Sequence, residues 1–178
     1  MAATTGLITV AEFEKLIRDN VRLELHHGEV ITLPPAKMRH NRAEKRLVRA
    51  LESRIGRYGY VNSEVPFRPL PEHEVWTADV AFLVNERDHG TAGDDWIAGA
   101  PDLVAEILSP SNTAEEMQER EDVCLRNGSR QFWSVSLDRR SVKVISVSGS
   151  VRTYRPGDEI DLAEFGGCTL PVSEIFSE

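Results

Sequence analysis

Two acidic side chains stand where apolar ones are expected. Asp79 lies within "VWTADVAFLV" (residues 75–84) and Glu106 within "PDLVAEILSPSN" (101–112), and both stretches otherwise read as buried strands. A carboxylate in such a strand is costly unless a partner neutralises it. If the two strands are neighbours, their carboxylates repel, and a pKa rises unless a cation lies between them. Oxygen ligands of this kind suit Mg²⁺ or Mn²⁺, ions that keep several waters and accept phosphate oxygens. Such an ion activates a bound water and neutralises charge building on a phosphodiester. Arginine partners would satisfy the same carboxylates as structural ion pairs, and the residues alone leave both readings open.

Further polar groups are placed to join that pair. In "KMRHNRAEKRLVRALESRIGRYG" (37–59), Ala43, Leu47, Ala50, Leu51 and Ile55 form an apolar stripe at helical spacing. His40 and Glu44 continue the stripe at its N-terminal end. A hydrogen-bonded structural histidine is the commoner role for His40, and Glu44 is a candidate on helical geometry alone. Arg39, Arg42, Lys45, Arg46 and Arg49 carry the positive charge of this helix, a solvated face by default and a phosphate-contacting one by function. His26 and His27 sit at a turn, where adjacent side chains diverge, so turn chemistry is expected of them rather than metal binding. Trp76, Trp96 and Trp133 are candidate rings for stacking on bases; of these Trp133 is expected in the core and Trp96 is the best exposed candidate.

The elements that must position these groups follow from pattern and punctuation. Thr9 and Glu12 make a capping box opening a short helix that ends near Asn20. "VRLELHHGEVITLPP" reads as a hairpin around His27-Gly28 with a Pro-Pro stop. The 37–59 helix ends at Gly56 or Gly59. "YVNSEVPFRPL" is a strand broken by prolines, and in 75–84 Ala78, Val80 and Phe82 are assigned one face, Asp79, Ala81 and Leu83 the other. Residues 85–100 form a polar loop. After the 101–109 strand, a helix capped by Asn112 or Thr113 runs to Gly128. "RQFWSVSL" and "SVKVISVSG" are strands joined at Asp138-Arg139-Arg140, and short β segments close the chain. The result is an α/β (α+β) domain with a mixed central sheet.

Bulk properties narrow the class. With 178 residues, no repeat and no linker, residues 1–178 are expected to form one domain. Apolar runs are too short for a membrane span, and the N-terminus lacks the pattern of a signal peptide. Cys124 and Cys168 have no metal-ligand spacing, and two buried thiols in a cytoplasmic protein are expected. The net charge of −8 argues against a broadly basic nucleic-acid surface but leaves room for a local one.

"ELHHGEV", His40, "ADVAF" and "PDLVAEILSPSN", followed by a charged helix, resemble the Uma-type putative restriction endonuclease family of the PD-(D/E)xK nuclease superfamily, over about residues 9–176. The resemblance implies a restriction-endonuclease-like fold with an N-terminal β-hairpin, and a Mg²⁺- or Mn²⁺-dependent DNA endonuclease. It implies Asp79 and Glu106 as metal ligands, with the carbonyl of Ile107 completing a face of the ion. Glu24 and His40 also match family positions. The superfamily lysine would stand two residues after Glu106, where this chain has Leu108; in the Uma-type branch it comes from the next helix, where this chain has Arg120. Arg120 keeps the charge and can clamp phosphate, but it cannot accept a proton. Ala78, Ser136-Leu137 and Cys124 are further departures from the family pattern. Cleavage of both strands of a duplex implies a C2 homodimer. The alternatives are an inactive nuclease-fold protein that binds nucleic acid or a protein partner, and an interaction protein whose Asp79 and Glu106 merely pair with arginines.

Overall fold

The computed structural model describes residues 6–18, 21–88, 96–110 and 112–176. Thr9 closes its capping box with Glu12 and starts α1 (Val10–Phe13), which runs into a 3₁₀ turn ending at Leu16. The helix is therefore shorter than its sequence pattern, and its expected end near Asn20 lies outside the described residues. The hairpin β1 (Leu23–His26) and β2 (Glu29–Thr32) turns at His27 and Gly28, both in the left-handed region at φ 51° and 76°. Gly28 is required there twice over, because a Cβ would also come within 2.6 Å of Leu7.

The long helix α2 (Met38–Ile55) leads into β3 (Gly59–Arg68) and β4 (Trp76–Val84). The polar segment after β4 contains a turn of helix, α3 (Asn85–Asp88), and the short β5 (Ile97–Ala98); most of the expected loop between them lies outside the described residues. Then come β6 (Leu103–Ile107), α4 (Ala114–Arg126), β7 (Gln131–Ser136), β8 (Ser141–Ser146), β9 (Val151–Tyr154), β10 (Glu159–Asp161), β11 (Thr169–Pro171) and α5 (Ser173–Phe176). Thr113, not Asn112, caps α4, in a second capping box with Glu116.

Seven strands form one mixed sheet in the order β5-β3-β4-β6-β7-β8-β9. The β6–β7 pair is parallel, with α4 as its crossover, and β4–β6 is antiparallel. On one face, Ala43, Leu47, Leu51 and Ile55 of α2 pack over Val80, Phe82, Leu103, Ala105 and Trp133. On the other, Cys124 with Met117, Val123 and Leu125 of α4 packs over Ala78, Leu83, Val104 and Phe132; Cys124 is buried as expected, but Cys168, just before β11, is exposed. The architecture is the expected mixed sheet flanked by helices, with the hairpin β1–β2 attached to it through a Leu25–Val75 bridge. No described helix is long and apolar enough to cross a membrane.

Two readings of the strands need correction. Pro66 does not break β3: it stands opposite Thr77, whose N–H and C=O turn away from β3 toward Glu24 and Arg120. Pro66 therefore occupies a position where no ladder donor is needed. The simple alternation assigned to β4 also fails. Trp76 and Ala78 share a face with Ala81 and Leu83, while Val80 and Phe82 face α2. The strand changes faces at Asp79, and β3 does the same beside it at Glu64, which takes φ 52°.

Candidate active site

Asp79 and Glu106 meet where two strands part. The β4–β6 ladder ends at Val80↔Ala105, and one further step of that register sets Asp79 against Glu106. The β6–β7 ladder continues through Ile107, so β6 stays held on one side while it opens on the other. Asp79 closes the gap by accepting a hydrogen bond from the Ile107 N–H at 2.8 Å. Alternation along β6 turns Leu103, Ala105 and Ile107 toward α2 and Glu106 toward α4. Beyond the strand, the Asn112 side chain accepts from the Ser109 N–H at 2.7 Å, fixing the turn into α4.

A cavity of about 490 Å³ opens over this point. Glu24, His40, Asp79, Glu106, Ile107 and Arg120 all line it, together with Arg22, Thr77 and the 33–37 segment. Glu44 lies behind His40. The six lining residues singled out from sequence thus converge from five elements: β1, α2, β4, β6 and α4.

On the α4 side, Arg120 is the organising cation. Its two terminal nitrogens grip both oxygens of Glu24 at 3.1 and 3.0 Å, and one also donates to the Thr77 carbonyl at 2.9 Å. Its Nε lies 3.3 Å from Glu106 Oε1, and its guanidinium lies 5.2 Å from the Trp76 ring centroid. A solvent-facing pair with Glu116 is not formed, because Glu116 is used in the helix cap and Arg120 turns inward. Glu24 is itself buried at 1% exposure, and accepts in addition from the Thr77 N–H at 2.7 Å and pairs with His26 at 2.6 Å. Burial pushes the Glu24 carboxyl up, but the His26 contact and the Arg120 charge outweigh it and hold it at about 2. Burial opposes charge on Arg120 too, yet Glu106 and Glu24 keep it firmly protonated.

On the α2 side, His40 Nε2 bridges Asp79 at 3.1 Å and Glu44 at 3.0 Å. Contact with Asp79, then with Glu44, raises the imidazole to about 10 against the opposing effect of burial. His40, Glu44 and Asp79 each offer a ligand atom within 4.8 Å of the others. Two candidate ligand sets therefore share Asp79.

Close ion pairing in the site is uneven: Glu24 is held by Arg120 and His26, Asp79 and Glu44 share His40, and Glu106 has Arg120, while Arg22, Lys37 and Arg39 line the same cavity. The Glu106 carboxyl is held well above the usual carboxylate range: burial raises it, Arg120 opposes the rise, and the Asp79 and Glu24 charges add to it. Its Oε1 is buried and has ion-pair proximity to Arg120 without an aligned hydrogen bond. A divalent cation with oxygen preference fits that unbonded oxygen beside Asp79.

Trp76 is buried beneath Arg120 and stacked against His26 at 5.2 Å, which takes it out of reach of a base, and Thr77, which had no sequence signal, contributes its backbone N–H and carbonyl. Their closeness to Glu24 depends on hairpin docking, not on local spacing. Asp102, beside Leu103, is structural: it pairs with Arg87 and Arg130 and accepts from the Val84 N–H. His26 and His27 diverge as expected, the latter toward Glu74 and Glu119. Trp133 is fully buried, and Trp96 packs on Phe13 at 6.0 Å instead of standing free.

Residues 10–173 match the Uma2 family model, described as "Putative restriction endonuclease". The chain belongs to the Uma2 family. The fold agrees with a solved structure described as a putative nuclease belonging to DUF820 from Anabaena variabilis. That structure is 22% identical, with a TM-score of 0.80 over 96% of this chain and 98% of the other. Among curated proteins no relative matches this chain.

Proposed function

We propose that this Uma2 protein is a Mg²⁺- or Mn²⁺-dependent endonuclease acting on DNA as a C2 homodimer, with Asp79 and Glu106 holding the ion. The observation that carries the reading is the buried Glu106 Oε1, left without a hydrogen bond beside Asp79 in a cavity open to ligand. The Ile107 carbonyl is the third oxygen in this assignment. A bound ion of this class supplies an activated water and neutralises charge on the scissile phosphate. The chain's own residues hold the geometry. Ile107 N–H and His40 fix Asp79 from two directions, and Arg120 orients Glu106 while it anchors β1 to α4 through Glu24.

Calorimetric titration tests this directly. Mn²⁺ should bind the intact protein and fail to bind Asp79→Asn or Glu106→Gln, and both variants should lose divalent-dependent cleavage of plasmid DNA. Absence of Mn²⁺ binding to the intact protein would remove the reading.

One observation favours a second reading, a nuclease fold that binds nucleic acid without turnover. The Arg120 fork is committed to Glu24 and Thr77, so it has little left to offer a phosphate. Under that reading DNA is retained with steep salt dependence and no cleavage is seen at any Mn²⁺ concentration.

A further inference from the structure

A second cavity, of about 640 Å³, adjoins the candidate active site and shares Arg39 and Leu137 with it. Four arginines line it, Arg39, Arg42, Arg46 and Arg140, and among the described residues no acidic one does. Arg39, Arg42 and Arg46 follow one face of α2 at i, i+3 and i+7. Arg140 comes from the β7–β8 turn and sits at φ 47°, a left-handed position that non-glycine side chains seldom take. Two of the four are pinned from behind. Arg46 Nε donates to the Ile175 carbonyl at 3.1 Å, and Arg140 to the Phe176 carbonyl at 3.4 Å. A guanidinium has five N–H donors, so such anchoring orients it and leaves most of them for a ligand.

Charge is segregated in the same sense. Helix α2 carries six Lys and Arg against two Glu, whereas α4 carries five Asp and Glu against two Arg. A polyanion is therefore repelled from the α4 layer and admitted along α2, despite the net charge of −8.

We propose that this groove carries the phosphodiester backbone of a DNA strand past the candidate active site. Arg42, Arg46 and Arg140 contact its phosphates, and Arg39 stands at the junction. The inference rests on the nuclease reading above and adds the face and direction from which substrate enters. Contacts of this kind position a strand without reading its sequence. At the junction, Arg39 is paired at 2.5 Å with Asp138, which itself lines the active-site cavity. Asp138 thus holds back one cation and places a negative charge beside the track.

Fluorescence anisotropy of a labelled DNA duplex with the full chain in EDTA, across a salt series, tests the groove apart from catalysis. The double variant R42Q/R140Q should weaken binding at least about tenfold and flatten the log K against log salt slope by about 2. R42Q alone, at an exposed position that leaves both C-terminal anchors intact, should flatten it by about 1. D138N should tighten binding, and R126Q on α4 should change nothing. Unchanged affinity and slope in R42Q/R140Q, or no duplex binding by the intact chain at low salt, would overturn the groove. The two readings fail separately. D79N that binds normally yet still cleaves with Mn²⁺ removes the catalytic assignment and leaves the groove; R42Q/R140Q that binds and cleaves normally removes the groove alone.

Discussion

At the scale of single residues, Arg120 is where stability and chemistry compete. It neutralises Glu24 and Glu106 inside a nearly closed layer, so removing it leaves two buried carboxylates facing each other. Arg120→Ala should therefore cost about 3–5 kcal/mol in urea unfolding. Arg120→Lys separates the two roles. A lysine retains the charge but cannot grip both Glu24 oxygens, which should cost roughly 1–2 kcal/mol. It also frees a compact ammonium for the cavity, so divalent-dependent cleavage should rise above that of the native chain. Equal cleavage by both would place Arg120 outside the reaction. Glu24 gives the same network a pH signature. Its folded pKa, about 2, lies below the ordinary 4.5, so its contribution is fully present above pH 4.5 and is lost as pH falls toward 2. That contribution is roughly 3 kcal/mol by linkage. Stability measured between pH 6 and 2.5 should drop steeply in the native chain, with a shallower acid limb in Glu24→Gln. Identical limbs would mean that Glu24 is not held as described.

At the scale of elements, the parts legible in sequence were those decided within a few residues. The α2 stripe, the box of Thr9 with Glu12, the start of α4 at Asn112 or Thr113, and the His27-Gly28 turn each rest on contacts no further than one or two helical turns away. What escaped was decided by distant partners. Arg120 and Glu24 are 96 positions apart, and only docking of the β1–β2 hairpin beside β4 brings them together. The change of face at Asp79 left no mark either, because it depends on the backbone of the neighbouring strand at Glu64. That strand position has its own test. Valine is a stronger strand former than glutamate, so propensity alone predicts that Glu64→Val stabilises β3. The left-handed φ of 52° argues the opposite, since a β-branched side chain is strained there. The exposed Arg22–Glu64 pair contributes little either way. The variant should lose about 1–3 kcal/mol in chemical denaturation, and it should also weaken Mn²⁺ binding, because β3 and β4 turn together where Asp79 is set.

At the scale of the whole molecule, the sheet holds two layers apart and the site lies in the opening between them. Asp79 leans toward α2 through His40, and Glu106 leans toward α4 through Arg120, so each acid is tethered to a different layer. A cation bridging them would tie the layers together as well as satisfy the unbonded Glu106 oxygen. Folding and metal occupancy should then be linked: Mn²⁺ at about 100 times its Kd should add about 2.7 kcal/mol to unfolding free energy. The same addition should leave Asp79→Asn and Glu106→Gln unmoved. Lys143, tied to Glu121 at 3.2 Å across β8 and α4, offers the control. Lys143→Met lowers baseline stability by a small amount without touching either acid, so its Mn²⁺-induced increment should match that of the native chain. A full increment in Asp79→Asn would mean that the ion binds elsewhere.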